Sequence, residues 1–267
     1  MSPEPMQGVY PILITPFDAR SRVDVEGLRS VVDFQIASGV HGIGIALGSE
    51  IVKLSEEERT LVARTVVDQT NGRVPVVINT GAAGTDLALL YSQRAQDDGA
   101  DALMVMPPTF SPVGGAEMRE YFRALSAAVR LPIFIQDTST AHVSADLAKQ
   151  IADECEHVRY IKEEVGPTPT RIADLRSEAG DSLVVFGGAG GNYFIEEMRR
   201  GSQGTMPGCS QPEAFVRIWD LFHSGDEQAA IAVHAYVQRL ARVSGLMRDG
   251  FFPVSYTHLT LPTILLV

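Results

Sequence analysis

From Gly8 onward the chain repeats one pattern eight times: a short run rich in Val and Ile, then a longer segment whose apolar residues recur at helical spacing. The runs fall near residues 9–15, 42–47, 74–79, 102–106, 133–136, 159–163, 183–187 and 204–206. Strands joined through helices pair in parallel, and a parallel sheet needs helices covering its faces. Eight such units between residues 8 and 224 match a (β/α)8 TIM barrel, which typically takes about 250 residues. A doubly wound open sheet usually carries a Gly-rich turn after its first strand; here Ile14-Thr15-Pro16-Phe17 stands in that place.

The helices carry their own start and stop signals. Ser55 with Glu58 forms a capping box, Thr85 precedes Leu87 to Leu90, and Ser144 leads into Ala145. Ser38-Gly39 and Asp98-Gly99 suit left-handed helix ends. Two more helices are expected over 212–223 and 227–243, the first being the eighth of the barrel. The chain therefore divides into a barrel over 1–224 and the start of a truncated C-terminal helical region over 225–253. Residues 254–267, from Val254-Ser255-Tyr256-Thr257-His258-Leu259 onward, read as the translation of a sequencing adaptor and are set aside.

Net charge is −11 with the two signs interspersed, which argues against nucleic-acid or anionic-membrane partners and leaves an anionic small molecule that needs local positive charge. Two cysteines outside any CxxC pattern read as reduced thiols, and no basic-then-apolar leader or bilayer-length apolar stretch is present, so the expected compartment is cytoplasmic. The six histidines are scattered, with no HExxH, so neither a metal nor another cofactor is expected.

One cation breaks the strand pattern. Lys162 lies in Val158-Arg159-Tyr160-Ile161-Lys162-Glu163-Glu164, which otherwise reads as a buried strand. Taking an ammonium out of water is costly, so buried lysines tend to become neutral amines, and a neutral amine aimed at a carbonyl forms a Schiff base. The competing reading is a solvated strand-end lysine paired with Glu163 or Glu164. Strict alternation puts Val158, Tyr160, Lys162 and Glu164 on one face and Arg159, Ile161 and Glu163 on the other. In a barrel, the carboxyl end of a strand opens on the catalytic mouth.

At this point the chain resembles the dihydrodipicolinate synthase and N-acetylneuraminate lyase family of Schiff-base barrels. The likeness rests on Thr15-Pro16-Phe17, Gly48-Ser49-Glu50 with Leu54-Ser55, Thr80-Gly81-Ala82, Pro107-Pro108 and Ile161-Lys162-Glu163, in that order. It implies a covalent imine between Lys162 and pyruvate or a related 2-oxo acid, and a homo-oligomer, either a dimer or a tetramer built from dimers. The family's acid/base tyrosine at the end of strand five is replaced by Gln136, and its threonine relay after strand two becomes Leu47-Gly48. Its tyrosine pair after strand four falls at Pro108 and Thr109, and the synthase arginine near Ala141, which argues against lysine biosynthesis as the role.

Gln136 and Asp137 are thus the candidates beside Lys162 for catalysis, with His142 a further acid/base candidate. Thr15, Gly48, Ser49, Asn79, Thr80, Gly187 and Gly188 are the substrate-binding candidates, the backbone amides of Gly48 and Ser49 being suited to a carboxylate. Three functions follow: an aldolase or synthase of 2-oxo acids, a dehydratase of a keto-deoxy sugar acid, or a non-catalytic binder of 2-oxo acids.

Overall fold

The computed structural model describes residues 5–110 and 113–245. Its strands are β1 (Gly8–Val9), β2 (Ile43–Ile45), β3 (Val76–Asn79), β4 (Ala102–Val105), β5 (Ile133–Asp137), β6 (Val158–Glu163), β7 (Val184–Gly187) and β8 (Gly204–Thr205). The helices are α1 (Val25–Ala37), α2 (Glu56–Thr70), α3 (Thr85–Asp97), α4 (Gly115–Ala128), α5 (Ala145–Glu154), α6 (Thr168–Ala179), α7 (Phe194–Met198), α8 (Pro212–His223) and α9 (Glu227–Gly245).

Every strand pair is parallel, in the order β1-β8-β7-β6-β5-β4-β3-β2. The sheet closes on itself beyond the end of β1, where Ile12 bridges both Gly44 and Gly208. The result is the eight-stranded (β/α)8 barrel expected from the alternation. β1 is shorter than the apolar run at 9–15 because Pro11 has no N–H to give the ladder; its carbonyl still accepts from Gly44 N at 2.9 Å.

Side-chain capping is present at two of the three expected helix starts, Ser55 and Ser144, and absent at Thr85. Ser55 accepts from Glu58 N while Glu58 accepts from Ser55 N, and Ser144 accepts from Leu147 N. At α3 the cap is Gly84, and Thr85 is the first helical residue. α9 packs along α8 and reaches α7, closing an apolar cluster that contains Phe194, Phe215, Trp219, Ala230 and Val237. The expectations for 246–267, including the adaptor-like tail, lie outside the described residues.

The barrel interior is a separate apolar layer built from Tyr10, Phe134, Tyr160, Phe186, Met104 and Met206, among others. Phe134 stacks on Tyr160 with centroids 4.3 Å apart, and Phe186 meets Tyr10 edge-on at 5.4 Å. Such rings bury roughly 150–250 Å² each, so a few of them fill much of a small barrel's bore. Gly42 and Gly44 make room for this layer: a Cβ on Gly42 would lie 2.0 Å from the Tyr10 ring, and one on Gly44 2.5 Å from Ile12 Cδ1.

Strict alternation fails at one place on β6. Val158 pairs with Ile133, but Tyr160 pairs with Phe134, so Arg159 is an extra residue bulged to the surface. Val158 therefore joins the layer between sheet and helices, and Tyr160 begins the inward set. The bulge lies toward the amino end of the strand and leaves the alternation from Tyr160 through Lys162 intact.

Candidate active site

Lys162 follows Tyr160 by two residues, so its side chain stands one tier above the aromatic layer, toward the carboxyl ends of the strands. It is 3% exposed. Beyond β6 the ladder continues for one more residue: Glu164 N donates to Asp137 O at 3.0 Å, and Gly188 N donates to Glu163 O at 2.9 Å. Glu164 accordingly keeps the inward alternation, and its Oε1 lies 2.9 Å from Lys162 Nζ.

This pair is part of a chain of side chains from three strands. Glu164 Oε2 accepts from Gln136 Nε2 at 2.8 Å, and Gln136 Oε1 accepts from Asn79 Nδ2 at 2.7 Å. Gln136 and Lys162 are register partners across β5 and β6. Asn79, Gln136 and Lys162 are all buried, and the Glu164 side chain is 23% exposed. A largely buried ion pair is favourable only when its other hydrogen-bonding positions are met; the Gln136 amide meets the second oxygen of the carboxylate, and Asn79 in turn satisfies Gln136. The pairing expected of a strand-end lysine is thus present, with Glu164 as the partner, but the lysine is buried rather than solvated.

Of the other sequence candidates, Asp137 belongs to a different face. It pairs with Glu163 in register, behind the sheet, where its Oδ1 accepts from Val143 N at 2.8 Å and faces His142 Nδ1 at 3.1 Å. Arg171 from α6 approaches Asp137 Oδ2 at 3.5 Å and Glu163 Oε2 at 3.6 Å. Period-two alternation is the reason: next to inward Gln136, Asp137 must point out. Asp137 and His142 are therefore not beside the lysine. Burial pushes both carboxyls of the Asp137 and Glu163 pair upward.

Thr80 follows inward Asn79 and turns outward for the same reason, its Oγ1 accepting from Ser92 Oγ of α3 at 2.8 Å. Ser49 is occupied internally: its N–H donates to Ala46 O at 2.9 Å and its hydroxyl to Leu13 O at 2.5 Å. The expected amide pair for a carboxylate thus loses the Ser49 member. Thr15 Oγ1 donates to Ser49 O at 2.6 Å and ties the first loop to the second, while Gly48 stays partly exposed on that turn. Gly187 backs onto the buried Glu197, whose Oε2 would stand 1.9 Å from a Cβ there. Gly188 faces the site: a Cβ would meet Glu164 Cγ at 2.4 Å. Glu164 is the site residue that no family motif marks, and strand alternation is the signal that finds it.

Fold and site together define a parallel (β/α)8 barrel with a buried lysine and an acid at its catalytic end. The chain belongs to the dihydrodipicolinate synthetase family, whose model matches residues 5–254. It is 30% identical over 234 residues to L-2-keto-3-deoxyarabonate dehydratase of Azospirillum brasilense, covering 85% of this chain and 75% of that protein. It is 32% identical over 187 residues to 4-hydroxy-tetrahydrodipicolinate synthase of Salinibacter ruber, covering 68% and 61% respectively. Among solved structures it superposes with TM-score 0.89 at 25% identity on YagE of E. coli K12, a protein of the same family solved in complex with pyruvate, covering 96% of this chain and 88% of that one. Members of this family are lyases. Among the described residues, no group of three or more His, Cys, Asp or Glu is placed to hold a metal ion, and no helix is long and apolar enough to cross a membrane.

Proposed function

We propose that this protein is a Schiff-base-forming lyase that acts on pyruvate or a related 2-oxo acid through Lys162, without a metal. The observation that carries this reading is the burial of the Lys162 amine on the inward face at the carboxyl end of β6, above an apolar floor. In such a place an amine reaches a substrate in the mouth, and the low-polarity floor excludes competing water. The amine adds to the keto carbon, water leaves, and the protonated imine draws electrons from the neighbouring carbon. A bond at that carbon then breaks, and hydrolysis frees the lysine. Gly48, on the turn held by Thr15 and Ser49, is the position assigned to the substrate carboxylate.

Two chemistries use this imine. Retro-aldol or condensation chemistry breaks or makes a carbon–carbon bond; dehydration expels water from a keto-deoxy acid. The likeness to the Azospirillum dehydratase over most of both chains favours the second as an alternative to the first. A cytoplasmic homo-oligomer, dimer or tetramer, belongs to the same proposal.

The test is borohydride reduction in the presence of a panel of 2-oxo acids, pyruvate and 2-keto-3-deoxy sugar acids included, followed by mass analysis. A stable adduct mapped to Lys162 and absent from Lys162→Ala is expected. No adduct with any member of the panel would leave a non-catalytic binder. Product analysis of the acids that form adducts separates carbon–carbon cleavage from loss of water.

A further inference from the structure

Imine chemistry needs a group that gives and takes protons at the reacting atoms. An amide such as Gln136, at the end of β5, does not titrate. Asp137 and His142 sit behind the sheet. Among the described residues, the titratable group within bonding distance of the Lys162 amine is Glu164, at 2.9 Å. Its two oxygens have separate partners, Oε1 the amine and Oε2 the amide of Gln136, which Asn79 orients in turn. The amide anchor does not depend on the ion pair. When the amine becomes an imine and the ion pair changes character, the carboxylate is still held beside the nitrogen.

We propose that Glu164 is the acid/base residue of this site, a proposal that rests on the reading of Lys162 as the imine-forming lysine. Glu164 first takes a proton from the Lys162 ammonium, leaving a neutral amine and a carboxylic acid. The amine adds to C2 of the 2-oxo acid; the C=O pair moves to oxygen, which takes the proton from Glu164. The nitrogen gives its next proton back to Glu164, which delivers it to the departing hydroxyl. Water leaves and the nitrogen lone pair forms the protonated imine. The Glu164 carboxylate then removes a proton from C3; the C3–H pair becomes a C2=C3 bond and the C=N pair returns to nitrogen, giving an enamine. In a substrate with a hydroxyl on C4, the enamine pushes its pair back, the C4–O bond breaks, and the Glu164 proton leaves with the oxygen as water. General acid–base groups of this kind contribute about 10²- to 10⁴-fold.

The experiment pairs two readouts on the full chain with pyruvate as the probe. End-point borohydride trapping reports the imine, and deuterium incorporation at C3 of pyruvate in D₂O, followed by proton NMR, reports proton transfer. The wild type is expected to trap and to exchange. Glu164→Gln is expected to trap at Lys162 but to exchange about 10²-fold slower or worse, and Glu164→Asp, which keeps a carboxylate, to recover part of the loss. If E164Q exchanges at the wild-type rate per trapped lysine, or E164D is no better than E164Q, Glu164 is an ion-pair support and the proposal falls while the imine stands. A wild type that traps no 2-oxo acid overturns the imine reading, and the role of Glu164 with it. An E164Q protein that forms no adduct while melting as the wild type does would make Glu164 a support for the lysine, which also overturns the assignment.

Discussion

A Cβ built on Gly188 would stand 2.4 Å from Cγ of Glu164, so the glycine after β7 and the acid after β6 touch with no room for a methyl group. The missing side chain at Gly188 leaves the space that the Glu164 side chain occupies, while Gln136 holds its carboxylate beside Lys162.

Gly188→Ala should displace Glu164 and slow C3 exchange of pyruvate by about 10- to 100-fold, the order that a misplacement near 1 Å costs. The Lys162 adduct should still form. An alanine variant that exchanges as fast as the wild type would show that the carboxylate can shift without loss, against the tight arrangement described above.

Thr80 serves packing between β3 and α3, because its hydroxyl accepts from Ser92 and is turned away from the lysine. Thr80→Val leaves the Ser92 hydroxyl without that partner and should cost about 1–3 kcal/mol in urea unfolding. Trapping at Lys162 should not change. A stable variant that no longer traps would return Thr80 to the substrate site.

Burial, then the neighbouring Asp137 charge, pushes the Glu163 carboxyl up to about 8 from an ordinary value of 4.5. The folded protein therefore keeps a proton that the unfolded chain gives up. That contribution is complete below the unfolded value and is lost as pH rises through the folded one. The melting temperature of the wild type should fall between about pH 5 and pH 8, and the fall should be smaller in Glu163→Gln. Glu197, also raised by burial, to about 7, acts in the same direction, so the comparison is between variants. Equal slopes for the two proteins would contradict a protonated Glu163.

Phe134 joins the stack with Tyr160 and the edge contact with Phe186 directly below the lysine tier. Phe134→Ala should cost about 3–5 kcal/mol, the usual price of a cavity left by a buried aromatic ring. A urea midpoint close to that of the wild type would mean that the interior collapses to fill the space.

The barrel was legible because its signals are local and repeated. Runs of Val and Ile, the Ser55 and Ser144 caps, and glycines closing helices each act within a few residues, and eight repetitions outweigh any single ambiguity. Lys162 was legible because a cation in an apolar strand violates the pattern around it. Asp137, Thr80 and Ser49 were placed at the mouth on position alone, which does not say which way a side chain points. For Asp137 and Thr80, one step along the strand is the difference between substrate and helix.

Alternation carried Glu164 to the inward face on paper, but its role depends on partners 28 residues away at Gln136 and on the close approach of Gly188. By itself the sequence determined the number and order of βα units and the presence of a lysine on strand six, because periodicity and burial preference are written residue by residue. Only the tertiary structure decided which acid meets that lysine, since strand register, the bulge at Arg159 and the missing side chain at 188 act between strands that the linear order keeps apart.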